Sequence, residues 1–146
     1  MKRLHTVREY TAFADGALLL IRIAAGLAFT MHGWPKVQHP FDWMGPNAFA
    51  PAPLQALAAL AEFGGGLGWI LGFLTPIATL GIAFTMAVAF STHAVMRGDP
   101  FVSLTGGPSS ELAAVYFCIA LVLLAMGPGR FSLDRRLFGP RQGSSY

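Results

Sequence analysis

The sequence has 146 residues, a formal net charge of +3 and a single cysteine. Hydrophobic residues make up 54% and charged residues 12%, about half of the roughly 25% charge usual in a soluble domain. So short a chain could not cover that much apolar side chain with polar surface, so composition excludes an ordinary soluble domain and points to lipid as the solvent. No basic patch interleaved with aromatic residues suggests nucleic acid. The lone Cys118 excludes an intramolecular disulfide and a cysteine-rich metal site. Lying in an apolar run, it is expected to be a buried small hydrophobe.

Residues 1–16 are polar or mixed and read as an N-terminal segment. The first apolar run, 17–34, has no small-x-small exit and ends at Met31-His32-Gly33-Trp34-Pro35, so it is read as a retained helix and not a cleaved signal. Further apolar runs occupy 54–74, 76–96 and 110–127. Each approaches the roughly 20 residues that cross about 30 Å of hydrocarbon, and in lipid such runs must be helical to pair their own backbone groups. The expected fold is therefore all-α, an integral membrane four-helix bundle over 17–137, with a flexible tail at 138–146.

The connections differ in character. Residues 35–53 include Pro35, Pro40, Pro46 and Pro51 among their prolines, which leaves no room for a long helix, and Phe41, Trp43, Met44 and Phe49 make this loop apolar. Leu74-Thr75-Pro76 is a tight turn, with Pro76 suited to the first turn of the third helix. A Gly- and Pro-rich loop spans 97–109, and Gly127-Pro128-Gly129 stops the fourth helix. Lys2, Arg3, Arg8, Arg130, Arg135, Arg136 and Arg141 lie in the tails against Lys36 and Arg97 in the loops. The positive-inside rule then places both termini in the cytoplasm, Trp34 and Trp43 at the outer interface and Trp69 near the inner one.

In the second run, Gly64, Gly68 and Gly72 share one helical face. Small residues at this spacing allow a close neighbour inside the bundle or a homo-oligomer contact. Without a preceding strand they are no phosphate loop.

Arg22, His32, Glu62, His93 and Glu111 interrupt the apolar runs or sit at their edges. Ionisable groups at such depth pair with one another or mark function. At 1.5 Å per residue, His32, Glu62 and His93 fall about 7, 12 and 5 Å below the outer boundary. Glu111 opens the fourth helix, where Ser109 or Ser110 could cap, and Lys36 sits just above the set. Arg22 lies about 10 Å deeper than Glu62, its best available counter-ion if the side chain snorkels outward. The ordinary readings are a structural ion pair for Arg22 and Glu62, a dipole-favoured carboxylate for Glu111 and interfacial residues for the histidines. Convergence at one depth favours instead a pocket of His32, Glu62, His93 and Glu111, able to relay protons or to bond a quinone head group. No His-x-x-His or Glu-x-x-His spacing supports a metal or haem.

An arginine in the first helix precedes the end His32-Gly33-Trp34-Pro35-Lys36. Glu62-Phe63-Gly64-Gly65-Gly66 and the Gly72-Phe73-Leu74-Thr75 turn follow, then His93, Glu111 and Gly127-Pro128-Gly129-Arg130-Phe131-Ser132-Leu133-Asp134. In order and spacing this pattern resembles the DoxX family of small four-helix membrane proteins over nearly all of 17–137. Pro76 departs from it, standing where an arginine is common. The resemblance implies a multi-pass protein of the bacterial or archaeal inner membrane, in a family named for a subunit linked to quinone-reducing sulfur oxidation.

The first expectation is therefore a component of a quinone-linked oxidoreductase system, with the four-residue set handling protons and Arg22 and Lys36 serving the substrate. Lacking an evident electron carrier, it would need a cofactor or a partner redox subunit. The alternative is a non-enzymatic membrane anchor or assembly subunit that docks a partner through the 35–53 loop. A small transporter is a third reading, for which no inverted repeat is seen.

Overall fold

The computed structural model describes residues 10–139; the expectations for residues 1–9 and 140–146 lie outside them. Four long helices form the bundle: α1 (Ala12–Gln38), α2 (Ala52–Leu71), α3 (Thr75–Ser91) and α4 (Glu111–Met126). A π-helical turn, Thr92–Met96, extends α3, and a short α5 (Leu133–Phe138) follows α4. With that extension the first three are long and apolar enough to cross a membrane, whereas α4 is a shorter apolar helix. The fold is thus all-α and membrane-embedded, as the composition requires.

Two boundaries differ from the sequence reading. Helix α1 runs through Pro35 to Gln38, because a proline there costs only one hydrogen bond, one turn from the helix end. The stretch after Gly127-Pro128-Gly129, for which the sequence reading gave no helix, holds α5, started by Ser132, whose hydroxyl accepts from the Arg135 N–H at 3.2 Å.

The helices pack in sequence order, α1 on α2, α2 on α3 and α3 on α4, while α1 and α4 touch only slightly. Close approach of α1 and α2 depends on glycine. A Cβ at Gly66 would come within 2.6 Å of the Thr30 nitrogen, one at Gly26 within 2.7 Å of the Gly66 oxygen, and one at Gly33 would collide with Phe63. Of the glycines expected to admit a close neighbour in the bundle or a second copy, Gly68 packs against Ala78 of α3, and Gly72 against Arg22 and Ser132. Gly64 has open space apart from Leu60 of its own helix.

At mid-bundle, Phe29 meets the Trp69 ring edge-on at 5.5 Å and the Tyr116 ring at 4.8 Å. Trp69 is a fully buried core residue, not an interfacial one. Its Nε1–H donates to Thr79 Oγ1 at 2.9 Å, which gives the polar end of the indole a partner inside the protein.

Candidate functional site

The polar residues collect at the two ends of the bundle. We call the end bearing residues 39–51 and 97–110 the loop side, and the end bearing Tyr10, the α2–α3 turn and α5 the tail side.

On the tail side, Arg22 is fully buried. Its Nε donates to the Trp69 carbonyl at 2.8 Å, Nη1 to those of Pro128 at 2.6 Å and Phe131 at 2.9 Å, and Nη2 to that of Ile70 at 3.2 Å. The first and last of these carbonyls belong to the last turn of α2, where carbonyls run short of helical N–H partners and the Trp69 carbonyl takes only a 3.2 Å bond from the Gly72 N–H besides. Asp134 accepts from the N–H groups of Leu74 and Thr75, both at 2.8 Å, and its own N–H donates to the Gly72 carbonyl. Asp15 accepts from the Arg130 N–H at 2.8 Å, and the Tyr10 hydroxyl donates to the Met126 carbonyl at 2.8 Å. The segment after α4 is thereby stitched to α1 and to the α2–α3 turn. That turn needs support, because Leu74 sits at φ 48°, in the left-handed region that costs a side-chain-bearing residue energy.

The expected Arg22–Glu62 pair does not form. Glu62 holds the Lys36 ammonium instead, with Nζ 2.6 Å from Oε1 and 2.7 Å from Oε2. Antiparallel packing explains the exchange. Gly33 of α1 lies against Phe63 of α2, so Lys36, one turn beyond Gly33, meets Glu62, while Arg22 falls level with the far end of α2. Lys36 also lies 4.3 Å from the centre of the Trp43 ring. The Trp43 indole N–H donates to the Gln55 carbonyl at 2.9 Å, and the Gln55 side chain bonds the Met44 N–H and the Ala50 carbonyl. The proline-rich loop thus folds over the Lys36–Glu62 pair.

His93 lies in the π-helical turn. Its Nδ1 is 2.7 Å from Asp99 Oδ2, and the Asp99 N–H donates to the His93 carbonyl. The same loop is tied to the start of α4, since the N–H groups of Ser110 and Glu111 donate to the carbonyls of Pro100 and Phe101. Ser110 takes the N-cap position without a side-chain capping bond. His32 and Glu111 are both exposed. Among the described residues no hydrogen bond or ion pair joins any two of His32, Glu62, His93 and Glu111. No group of three His, Cys, Asp or Glu among them could hold a metal ion.

Where α1 and α4 diverge, an open cavity of about 330 Å³ is lined by Ile21, Phe101, Ala114, Val115, Cys118, Ile119 and Val122. Cys118 is exposed on this wall and is not a buried core residue. Helical geometry relates the crevice to the polar residues. His32 follows Ile21 by eleven residues and Glu111 precedes Val122 by the same interval, which on an α-helix returns to within about 20° of the same face. From the Phe29–Tyr116 contact, His32 is three residues and Glu111 five residues further toward the loop side. The two therefore lie within about 3 Å of one depth, further toward the loop side than Ile21 and Ala114 of the crevice wall, and neither is among the residues that line it.

A profile of the DoxX family matches residues 17–94. The chain belongs to this family. It is 32% identical over 133 residues to inner membrane protein YqjF of Escherichia coli, covering 84% of this chain and 93% of that protein. It is 36% identical over 138 residues to inner membrane protein YphA of the same organism, covering 88% and 95%. With uncharacterized membrane protein Rv3486 of Mycobacterium tuberculosis the identity is 30% over 133 residues, covering 83% and 81%. No solved structure matches the chain.

The DoxX-like motifs find distinct places in this fold. Arg22 and the Gly127–Asp134 stretch form the tail-side stitching, and the His32–Lys36 and Glu62–Gly66 segments pack against each other on the loop side. Sequence reasoning passed over the local roles of Asp15, Gln55 and Asp99. Asp99 had a usable signal, an acid six residues after His93 in a Gly/Pro-rich loop. Asp15 and Gln55 had none, because their partners are backbone groups distant in sequence or in a loop.

Proposed function

We propose that this DoxX-family protein is a component of a quinone-linked oxidoreductase system in the inner membrane, with both tails cytoplasmic. The observation that carries this reading is the apolar crevice between α1 and α4; in this reading the exposed His32 and Glu111, further toward the loop side on the same two helices, stand at its mouth. Its walls suit the ring and isoprenoid tail of a quinone arriving from lipid, and its volume falls in the range of small-molecule sites. At the mouth an imidazole and a carboxylate are available to bond a quinone carbonyl and to pass it protons. The electrons come from a partner redox subunit. Lys36 is engaged by Glu62 and His93 by Asp99, so in this reading those four shape the loop-side surface around the mouth, and Arg22 holds the far end of the bundle rigid.

Cys118 supplies the test. In proteoliposomes, a quinone should protect Cys118 from a lipophilic maleimide, and His32→Ala or Glu111→Gln should weaken that protection at least several-fold. Full labelling at saturating quinone, with no quinone in an organic extract of the gently purified protein, would overturn the reading. Protection of Cys118 by a co-purifying subunit would instead favour the non-enzymatic anchor.

A further inference from the structure

On the tail side, the short segment after α4 displays large apolar and basic side chains together. Phe131, Leu137 and Phe138 are 50%, 61% and 55% exposed. Arg130 and Arg136 are also exposed beside them, the Arg130 guanidinium lying 5.4 Å from the centre of the Phe131 ring. Among the described residues, the two acids bonded to this segment or lying within it do not offset this charge at the surface. Asp15 and Asp134 are 2% and 7% exposed and point inward, accepting backbone N–H groups.

Three large apolar side chains within eight residues are costly to leave in water, whereas at the headgroup boundary they rest in the acyl region. The same depth brings the two guanidinium groups level with lipid phosphates, which they can bond in two-point fashion. The surface is also preorganised, because the Gly72 carbonyl, the Leu74 and Thr75 N–H groups and Arg22 pin the segment from beneath.

We infer that Arg130 and Arg136, framed by Phe131, Leu137 and Phe138, form a binding site for the phosphodiester headgroup of an anionic phospholipid on the tail side of the bundle. The site is independent of the crevice and stands whether or not the crevice binds quinone. An arginine near an anionic lipid surface contributes roughly a fivefold preference, so the pair should contribute about 25-fold.

The test uses the full chain in neutral detergent, titrated with short-chain phosphatidylglycerol, short-chain phosphatidylcholine or inorganic phosphate while thermal unfolding is followed. Phosphatidylglycerol should raise the midpoint and phosphatidylcholine should not. The R130Q/R136Q double variant should bind phosphatidylglycerol about 25-fold more weakly and R136Q alone about fivefold, with helicity by circular dichroism unchanged. Equal shifts with the two lipids, or unchanged affinity in R136Q, would overturn the site. A shift of the same size with inorganic phosphate would overturn the assignment to lipid.

Discussion

Lys36 of α1 and Glu62 of α2 form a two-point contact, both carboxylate oxygens lying within 2.7 Å of one ammonium nitrogen. Glu62 is almost buried, with 6% of its side chain exposed, and Lys36 shows 23%. The pair thus falls between an exposed and a fully buried ion pair. Lys36→Met should destabilise the bundle by about 1–3 kcal/mol. Adding Glu62→Gln should recover part of that loss, because it removes the stranded charge. Additive losses in a double-mutant unfolding cycle would show that the contact contributes nothing.

Arg22 should behave differently. Its donors meet four carbonyls in a planar fan that an ammonium cannot copy. Both Arg22→Met and Arg22→Lys should cost roughly 3–5 kcal/mol, as expected when a buried, charge-assisted network is broken. Combined with Glu62→Gln, the Arg22 losses should add to within about 0.5 kcal/mol, since the two sites share no partner.

The glycines divide by position. Gly33→Ala and Gly66→Ala should each destabilise by about 1–3 kcal/mol, because the new methyl group meets backbone atoms of the facing helix. Gly64→Ala should be neutral or stabilise by up to about 1 kcal/mol through helix propensity, since it meets only the Leu60 side chain. A common response in the three variants, followed by denaturant or thermal unfolding, would contradict this packing.

Asp134 supports the turn between α2 and α3. Asp134→Ala frees the N–H groups of Leu74 and Thr75 and should cost about 3–6 kcal/mol by thermal unfolding, counting a charge-assisted bond to each. Leu74→Gly in that background should recover about 1 kcal/mol by relieving the left-handed conformation.

Sidedness can be read with cysteines in a Cys118→Ser background. Leu104 is 94% exposed in the 97–110 loop, so Leu104→Cys should react from one side of the membrane and Ser144→Cys from the other. Labelling of both from the same side would exclude an even number of crossings.

The membrane class and the four long helices were legible in the sequence, because they depend on quantities local to it. Run length against bilayer thickness, the density of charge and the positions of Pro76 and Gly127-Pro128-Gly129 need no knowledge of neighbours. The resemblance to the DoxX family was equally legible, resting on short motifs in order. Partner choice was not. Arg22 and Glu62 looked matched by charge and approximate depth, yet the antiparallel register of α1 and α2 carries Lys36 to Glu62 and leaves Arg22 among the carbonyls that end α2. Depth alone could not separate His93, held by Asp99 in its own loop, from His32 and Glu111, which are both exposed. A one-dimensional count of residues gives height along the membrane normal but not the angle around each helix. That angle, with the close approach permitted by Gly26, Gly33 and Gly66, decides which polar groups meet.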